Sequence, residues 1–228
     1  MNNLFKAISS KLPKSLQQEL KRLLFSRQIR KGTFKTDEKE YLILDRWVKK
    51  GDWVLDIGAN VGHYTVKLSE LVGESGRVIA FEPIPDTFEL LAANIARLSS
   101  RNVTLLNVGA SSSTSLHGMA LPKFDTGLDN YYMARITTNN PTIEILCLSI
   151  DSLNLSECIR LVKIDAEGHD LQVLKGMRSL LEKDHPVLII EEGSSDISEY
   201  LSRFGYSFEI IDGSHNRVFE VVPDRLQV

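Results

Sequence analysis

From residue 53 to residue 211 the chain alternates short apolar runs with longer stretches of helical periodicity, and this alternation constrains its fold more than any other feature. The runs 53–57, 77–82, 103–108, 161–165 and 187–191 have strand length, and helical patterns at 61–72, 86–98, 169–181 and 196–204 fill the intervals. That order predicts an α/β fold, a mostly parallel sheet covered by helices on both faces. Two further runs, 206–211 and 217–222, flank Asp212-Gly213-Ser214 and predict an antiparallel terminal hairpin at the sheet edge. Upstream, Asp37 followed by Glu40 resembles a helix start. Tyr41, Leu42, Leu44, Trp47 and Val48 continue at helical spacing until Gly51 stops them.

Two segments depart from this rhythm. Residues 111–141 are rich in Ser, Thr, Asn and Gly, and predict a hairpin or lid inserted before a strand at 143–148. Residues 1–36 hold nine Lys or Arg against the single acid Glu19, in a chain of net charge −3, so a basic arm precedes an acidic body. Leu16, Leu20, Leu23 and Leu24 recur at helical spacing, which predicts a helical arm that buries one apolar face on the body. A basic arm also suits peripheral contact with an anionic membrane surface. The expected organisation is therefore an arm at 1–36 and one domain at 37–228.

No apolar run is long enough to cross a bilayer. Cys147 and Cys158 lack metal-type spacing, and the N-terminus is not signal-like, so reduced thiols in a cytoplasmic protein are expected. Nucleic acid is excluded as a partner because the body is acidic and the basic arm lacks interleaved aromatics. Oligomeric state is not legible.

The chemistry-bearing residues fall at strand ends, where open α/β sheets bind ligands. Strand 53–57 runs into Gly58-Ala59-Asn60-Val61-Gly62, whose glycines permit close backbone approach while the next helix offers free N-terminal amides. The Gly-x-x-x-Gly spacing departs from the dinucleotide fingerprint Gly-x-Gly-x-x-Gly. Asp56 sits badly beside a pyrophosphate but can accept a hydrogen bond from an amino acid's ammonium group. Glu82, ending the second strand, can accept two ribose hydroxyls, a geometry shared by nicotinamide and S-adenosylmethionine sites.

The runs VLDIGANVGHYT, VIAFEP, LVKIDAEGHDLQVLKGM and PVLIIEE together resemble the FkbM family of S-adenosylmethionine-dependent methyltransferases, over about residues 51–208. The resemblance implies a Rossmann-like class I methyltransferase fold with a seven-stranded sheet, and O-methylation of a hydroxyl on a sugar, glycan or natural-product-like acceptor. It implies that Asp56, Gly58, Asn60 and Gly62 form the cofactor loop, that Glu82 holds the ribose, and that Asn107, Val108 and Gly109 lie beside the adenine. Asp170 stands where many members have Glu, and residues 1–36 and most of 111–141 fall outside the pattern.

Methyl transfer to a hydroxyl needs a group that removes its proton. Lys163 and Asp165 share one face of their strand, and Glu167 and His169 follow across Gly168. With Glu191 and Glu192, these residues predict an acidic cleft in which like charges raise one carboxyl's pKa and make it a base. The catalytic candidates are thus Lys163, Asp165, Glu167, His169 and Glu191. The acids also suit Mg²⁺. Adjacent residues such as Glu191 and Glu192 face opposite ways in a strand, so no metal set is assigned. His63 reads as a packing or cofactor-side residue. Two alternatives stand beside methyl transfer: a nicotinamide-dependent oxidoreductase, and a non-catalytic S-adenosylmethionine-binding or membrane-docking module.

Overall fold

The computed structural model describes residues 12–124, 129–191 and 194–221. In chain order the first half holds α1 (Lys14–Arg30), α2 (Lys39–Leu42), β1 (Trp53–Ile57), α3 (His63–Val72), β2 (Arg77–Phe81), α4 (Pro85–Ile95) and β3 (Val103–Leu106). There follow β4 (Gly109–Ala110), β5 (Ser115–Ala120), β6 (Arg135–Ile136), β7 (Ile143–Leu148) and β8 (Ile159–Ile164). The chain continues through α5 (Asp170–Lys175), α6 (Arg178–Asp184), β9 (Val187–Glu191), α7 (Ser195–Ser202), β10 (Tyr206–Ile210) and β11 (Asn216–Val221).

Seven strands form the main sheet in the order β10-β11-β9-β8-β1-β2-β3. The pairs linking β9, β8, β1, β2 and β3 are parallel, whereas β11 runs antiparallel to both β9 and β10. This is the class I methyltransferase arrangement. The terminal hairpin forms as expected, with β11 inside the sheet and β10 at its edge. Each central strand is buried on both faces, which explains its unbroken apolar sequence. Leu55, Ile57, Phe81, Val162, Ile164 and Leu188 pack on the side of Val173, Leu174 and Met177. Val54, Val78, Leu161 and Ile189 pack on the opposite side with Trp47, Tyr64 and Leu68.

Three expectations are corrected and one is extended. The helix expected from Asp37 to Gly51 is only α2 and a single 3₁₀ turn, Leu44–Arg46. Glu40 does not cap a helix; it is buried and receives the Ser214 Oγ and Asn216 Nδ2 donors of the distant β10–β11 turn. The helix expected over 169–181 divides into α5 and α6 at Gly176-Met177. The Gly176 carbonyl there accepts Asp151 N–H at 2.9 Å and Ser149 Oγ at 2.8 Å, while the Asp151 carboxylate caps the new helix through Ser179 and Leu180 N–H.

The hairpin expected within 111–141 belongs to a separate four-stranded sheet, β4-β7-β5-β6, and strand 143–148 joins it as β7. Ile84, Met119, Ala134, Ile145 and Cys147 form its small core. Finally, α1 packs on α4 through Phe25 and Ile29 and through Arg22–Glu89 and Lys14–Asp86 ion pairs; of the leucines expected to be buried, Leu20 and Leu24 are half-buried and the other two are not. Leu16 remains 49% and Leu23 65% exposed. Cys147 is buried and Cys158 exposed, both free. Among the described residues no helix is long and apolar enough to cross a membrane.

Candidate active site

At the carboxyl end of β1 the chain turns through three residues of positive φ, Gly58 (77°), Asn60 (50°) and Gly62 (98°), before α3 begins. A Cβ on Gly58 would lie 1.9 Å from the Asp165 carbonyl oxygen, and one on Gly62 would lie 2.6 Å from Leu91 Cδ1. Both positions are therefore closed to larger residues by conformation and by space. Gly58 and Ala59 N–H donate to the Phe81 carbonyl at 3.0 and 2.9 Å, which fastens the loop to β2. No side chain caps the N-terminus of α3, so its amides face whatever enters the loop.

Glu82 is buried at the end of β2, where one oxygen accepts Asn60 N–H at 2.8 Å and the other accepts Ile84 N–H at 2.9 Å. Burial raises its pKa to about 7 even against those donations, and the Asp165 and Asp56 charges add to the rise. Asp56 is fully buried, accepts Thr65 Oγ1 at 2.5 Å through Oδ2, and leaves Oδ1 with no hydrogen-bond partner among the described residues. Burial raises its pKa as well, opposed by Lys163, its register partner on β8.

At the far side of the same cavity, of about 750 Å³, the ends of β8 and β9 meet. Lys163 is buried, with Nζ 2.7 Å from Asp165 Oδ2 and 5.1 Å above the Tyr64 ring. Burial works against that ammonium, but the Asp165 and Asp56 charges hold its pKa above the usual lysine value. Asp165 in turn is kept below the ordinary carboxylate range: burial opposes its charge, and Lys163 together with a hydrogen bond from Glu191 outweighs the burial. Asp165, Glu167 and Glu191 each place a carboxylate oxygen within 4.8 Å of the other two. Burial, a hydrogen bond to Asp165 and the Asp165 and Glu167 charges push Glu191 up to about 8. Glu191 thus keeps its proton near neutrality and donates it to Asp165. The three oxygens are also spaced to surround a hard divalent cation. Glu192 lies outside the described residues.

The segment linking β8 to α5 sets these positions. Glu167 (φ 48°) and Gly168 (84°) turn the backbone, and buried Asp170 accepts Ala166 N–H at 3.0 Å to close the turn. His169 lines the cavity, yet its Nε2 lies 2.9 Å from Ser111 Oγ and its ring centroid 5.8 Å from that of His117. Burial, then the His117 charge, lowers its pKa. His63 stacks on Phe34 at 4.2 Å, the packing role its position suggested.

Asp56, Gly58, Asn60, Glu82 and Gly109 line the cavity together with the catalytic candidates. Asn107 and Val108, expected beside the adenine, lie next to Gly109 at the cavity's edge and are not among its lining residues. β3 ends at Leu106, after which Asn107 turns its amide onto the Glu82 and Pro83 carbonyls and Val108 packs into the core. Gly62 acts one layer back, as the first residue behind α3.

One wall escaped the sequence reading. Glu38, Tyr64, Ser214 and Asn216 line the cavity, joined by Tyr64 OH 2.5 Å from Glu38 Oε2 and by Asn216 Nδ2 at 3.2 Å from the same oxygen. Glu40 stands behind them, 3.0 Å from Tyr64 OH. Burial opposes the Glu40 charge, but hydrogen bonds led by that of Ser214 hold its pKa below the usual value. No local pattern announces this wall, because its residues come from the arm junction, α3 and the terminal hairpin.

Residues 56–224 match the family described as Methyltransferase FkbM domain. The chain belongs to this family. The FkbM domain is 30% identical over 168 residues to the hexuronic acid methyltransferase AglP of Haloferax volcanii, an alignment spanning 71% of this chain and 66% of that protein. Among solved structures it resembles the methyltransferase FkbM of Methylobacillus flagellatus, with a TM-score of 0.54 at 18% identity, over 76% of this chain and 43% of that one. Fibrillarin of Aeropyrum pernix, solved with natively bound S-adenosyl-L-methionine, gives 0.50 at 15% identity over 77% and 68%. Both structural likenesses concern the fold. Family membership displaces the oxidoreductase alternative, in keeping with the Gly-x-x-x-Gly spacing.

Proposed function

We propose that this chain is an S-adenosylmethionine-dependent O-methyltransferase whose acceptor is a hydroxyl of a sugar, glycan or natural-product-like small molecule. The observation that carries the reading is a single cavity joining the Gly58–Gly62 loop and Glu82 to the Lys163-Asp165-Glu191 group. The residues present fit the cofactor. Buried Asp56 holds an oxygen without a partner, α3 offers an uncapped N-terminus to a carboxylate, and Glu82 offers a strand-end carboxylate for two hydroxyls. When bound, S-adenosylmethionine supplies an electrophilic methyl group on a sulfonium.

The protein's own part is to place the acceptor and handle its proton. Asp165, kept ionised by Lys163, accepts the hydrogen bond of the incoming hydroxyl and orients its oxygen. Glu191, protonated at neutrality, becomes a proton acceptor as pH rises through about 8. His169 is engaged by Ser111 and shapes the wall. The sugar class is supported by the relative named for hexuronic acid. Negative charge at Asp165 and Glu167, beside the protonated Glu191, favours a neutral hydroxyl over a carboxylate at that spot. The free thiols support a cytoplasmic setting within the same proposal.

Titration calorimetry with S-adenosylmethionine and S-adenosylhomocysteine, followed by labelled-methyl transfer to neutral hexosides and hexuronates, tests the reading. Binding of both, and transfer to neutral acceptors that Asp165→Asn suppresses, is the expected result. Absence of binding by either cofactor form sinks the donor half. Transfer only to hexuronates, with the methyl released by mild alkali as an ester is, would replace the hydroxyl with a carboxylate acceptor.

A further inference from the structure

The face of α1 that packs on the body is not the one its leucines define. Phe25 and Ile29 turn inward to Phe34, Val61, Val66 and Leu90, and Gln18 and Arg22 reach Asp86 and Glu89 of α4. At 100° per residue, Leu16, Leu20 and Leu23 fall on the opposite side of the helix, with Arg27 and Arg30 continuing that face toward its C-terminus. Leu16 and Leu23 are 49% and 65% exposed. The charge on this face is mainly positive, with Glu19 at its edge beside Leu16 and Leu23. Arg27, Arg30 and Lys31 are given no carboxylate partner among the described residues. The helix's one acid, Glu19, is held by Arg22 at 2.8 Å, and no further acid occurs before Asp37.

We propose that this leucine face is a docking surface for an anionic lipid bilayer, with exposed Leu16 and Leu23, and half-buried Leu20 beside them, entering the interface and Arg27, Arg30 and Lys31 meeting headgroup phosphates. Charge complementarity selects that occupant. Leucines alone would suit any apolar partner, whereas leucines ending in a run of unneutralised cations match an interfacial helix on an anionic leaflet.

The docking helix is fastened to the site. Phe25 and Phe34 meet edge to face at 5.4 Å, and Phe34 stacks on His63, the first residue of α3. Immediately beyond Phe34, residues 35–38 line the cavity, so the basic run ends on the cavity wall at Lys35. A bilayer bound by α1 would hold that wall close to the headgroup layer, the setting suited to an acceptor carried on a lipid. This inference is independent of which hydroxyl is methylated.

Flotation of the full chain with phosphatidylcholine vesicles, with and without phosphatidylglycerol, tests it. The parent protein is expected to float only with the anionic vesicles and to be released by high salt. Arg27→Glu/Arg30→Glu/Lys31→Glu and, separately, Leu16→Ser/Leu23→Ser are each expected to weaken partitioning at least about tenfold. Both should keep the parent's melting temperature and its affinity for S-adenosylhomocysteine. Failure of the parent to float, or flotation of the leucine variant equal to the parent's, overturns the proposal. So does a parent dimer that the leucine variant dissolves without any vesicle binding, since the face would then be an interface between copies. Should the leucine variant misfold, the charge-reversal variant and the salt series on the parent decide between the same outcomes.

Discussion

The donor end of the cavity is drawn mainly from the contiguous residues 56–62 with Glu82, and backbone sets its shape: three positive-φ residues, two amides on the Phe81 carbonyl, and glycines where neighbours leave no room for a side chain. The acidic end is drawn from the tips of β8 and β9, and from a wall that α3, the arm junction and the terminal hairpin share. There, side-chain charges set the shape. One end is a conformation and the other is an electrostatic balance, so the two should fail differently when altered. They also touch, because Gly58 lies against the Asp165 carbonyl.

The severest way to break the comparison is at that contact. Gly58→Val adds a Cβ where 1.9 Å is available, at a φ of 77° that β-branched residues avoid, and should cost more than about 3 kcal/mol in urea unfolding. A parent-like midpoint would mean the two ends are not locked by this approach. Next in size, Glu82→Ala removes two charge-assisted acceptors and should weaken S-adenosylhomocysteine by roughly 10–100-fold in calorimetry. Glu82→Gln should fall between, since its one amide oxygen keeps one of the two backbone donors while its NH2 faces the other.

A change at the acidic end should appear in pH dependence instead. Glu191 has an ordinary value of 4.5 and is raised in the fold to about 8. The folded state therefore holds a proton that the unfolded chain releases between those values. Its contribution to stability is present below about 4.5 and is lost as pH rises through about 8. Glu191→Gln should flatten that part of the stability profile and remove the rise in turnover near pH 8, leaving donor affinity unchanged; an unaltered profile would assign the proton elsewhere. Smallest of all, Asp170→Ala frees the Ala166 amide and should cost about 1 kcal/mol. It should lower transfer without altering S-adenosylhomocysteine affinity, and equal loss of both would show that the acidic turn also supports the donor loop.

Legibility in the sequence followed this division. Strands β1 and β9 occur at the expected bounds, and β2, β3, β8, β10 and β11 differ at their ends by a few residues at most, because continuous apolar runs between turns are a local signal. The turn after β1 was legible for the same reason: Asp56, Gly58, Asn60 and Gly62 follow the end of β1 and Glu82 that of β2, positions that sequence order dictates. Asn107 and Val108 were assigned by family pattern; β3 ends before them at Leu106, and the Asn107 amide holds the Glu82 carbonyl. The catalytic candidates were identified as residue types, whereas their protonation was not legible. The proton shared by Glu191 and Asp165 depends on burial and on Lys163, each conferred by other strands.

The remaining discrepancies share one cause. Asp37 and Glu40 look like a helix cap until Ser214 and Asn216 arrive from the far end of the chain. The pattern over 169–181 looks like one helix until Ser149 and Asp151 claim the Gly176 carbonyl. The leucines of α1 look like its buried face until Phe25 and Ile29 find Phe34 and Val66. Periodicity and turn chemistry act over a few residues, so order along the chain was enough for the main sheet, for helices α3, α4 and α7, and for the turn after β1. Which carboxyl keeps its proton, which helix face meets solvent and which residues complete the cavity wall depend on burial and on partners distant in sequence, and those exist only once the chain has folded.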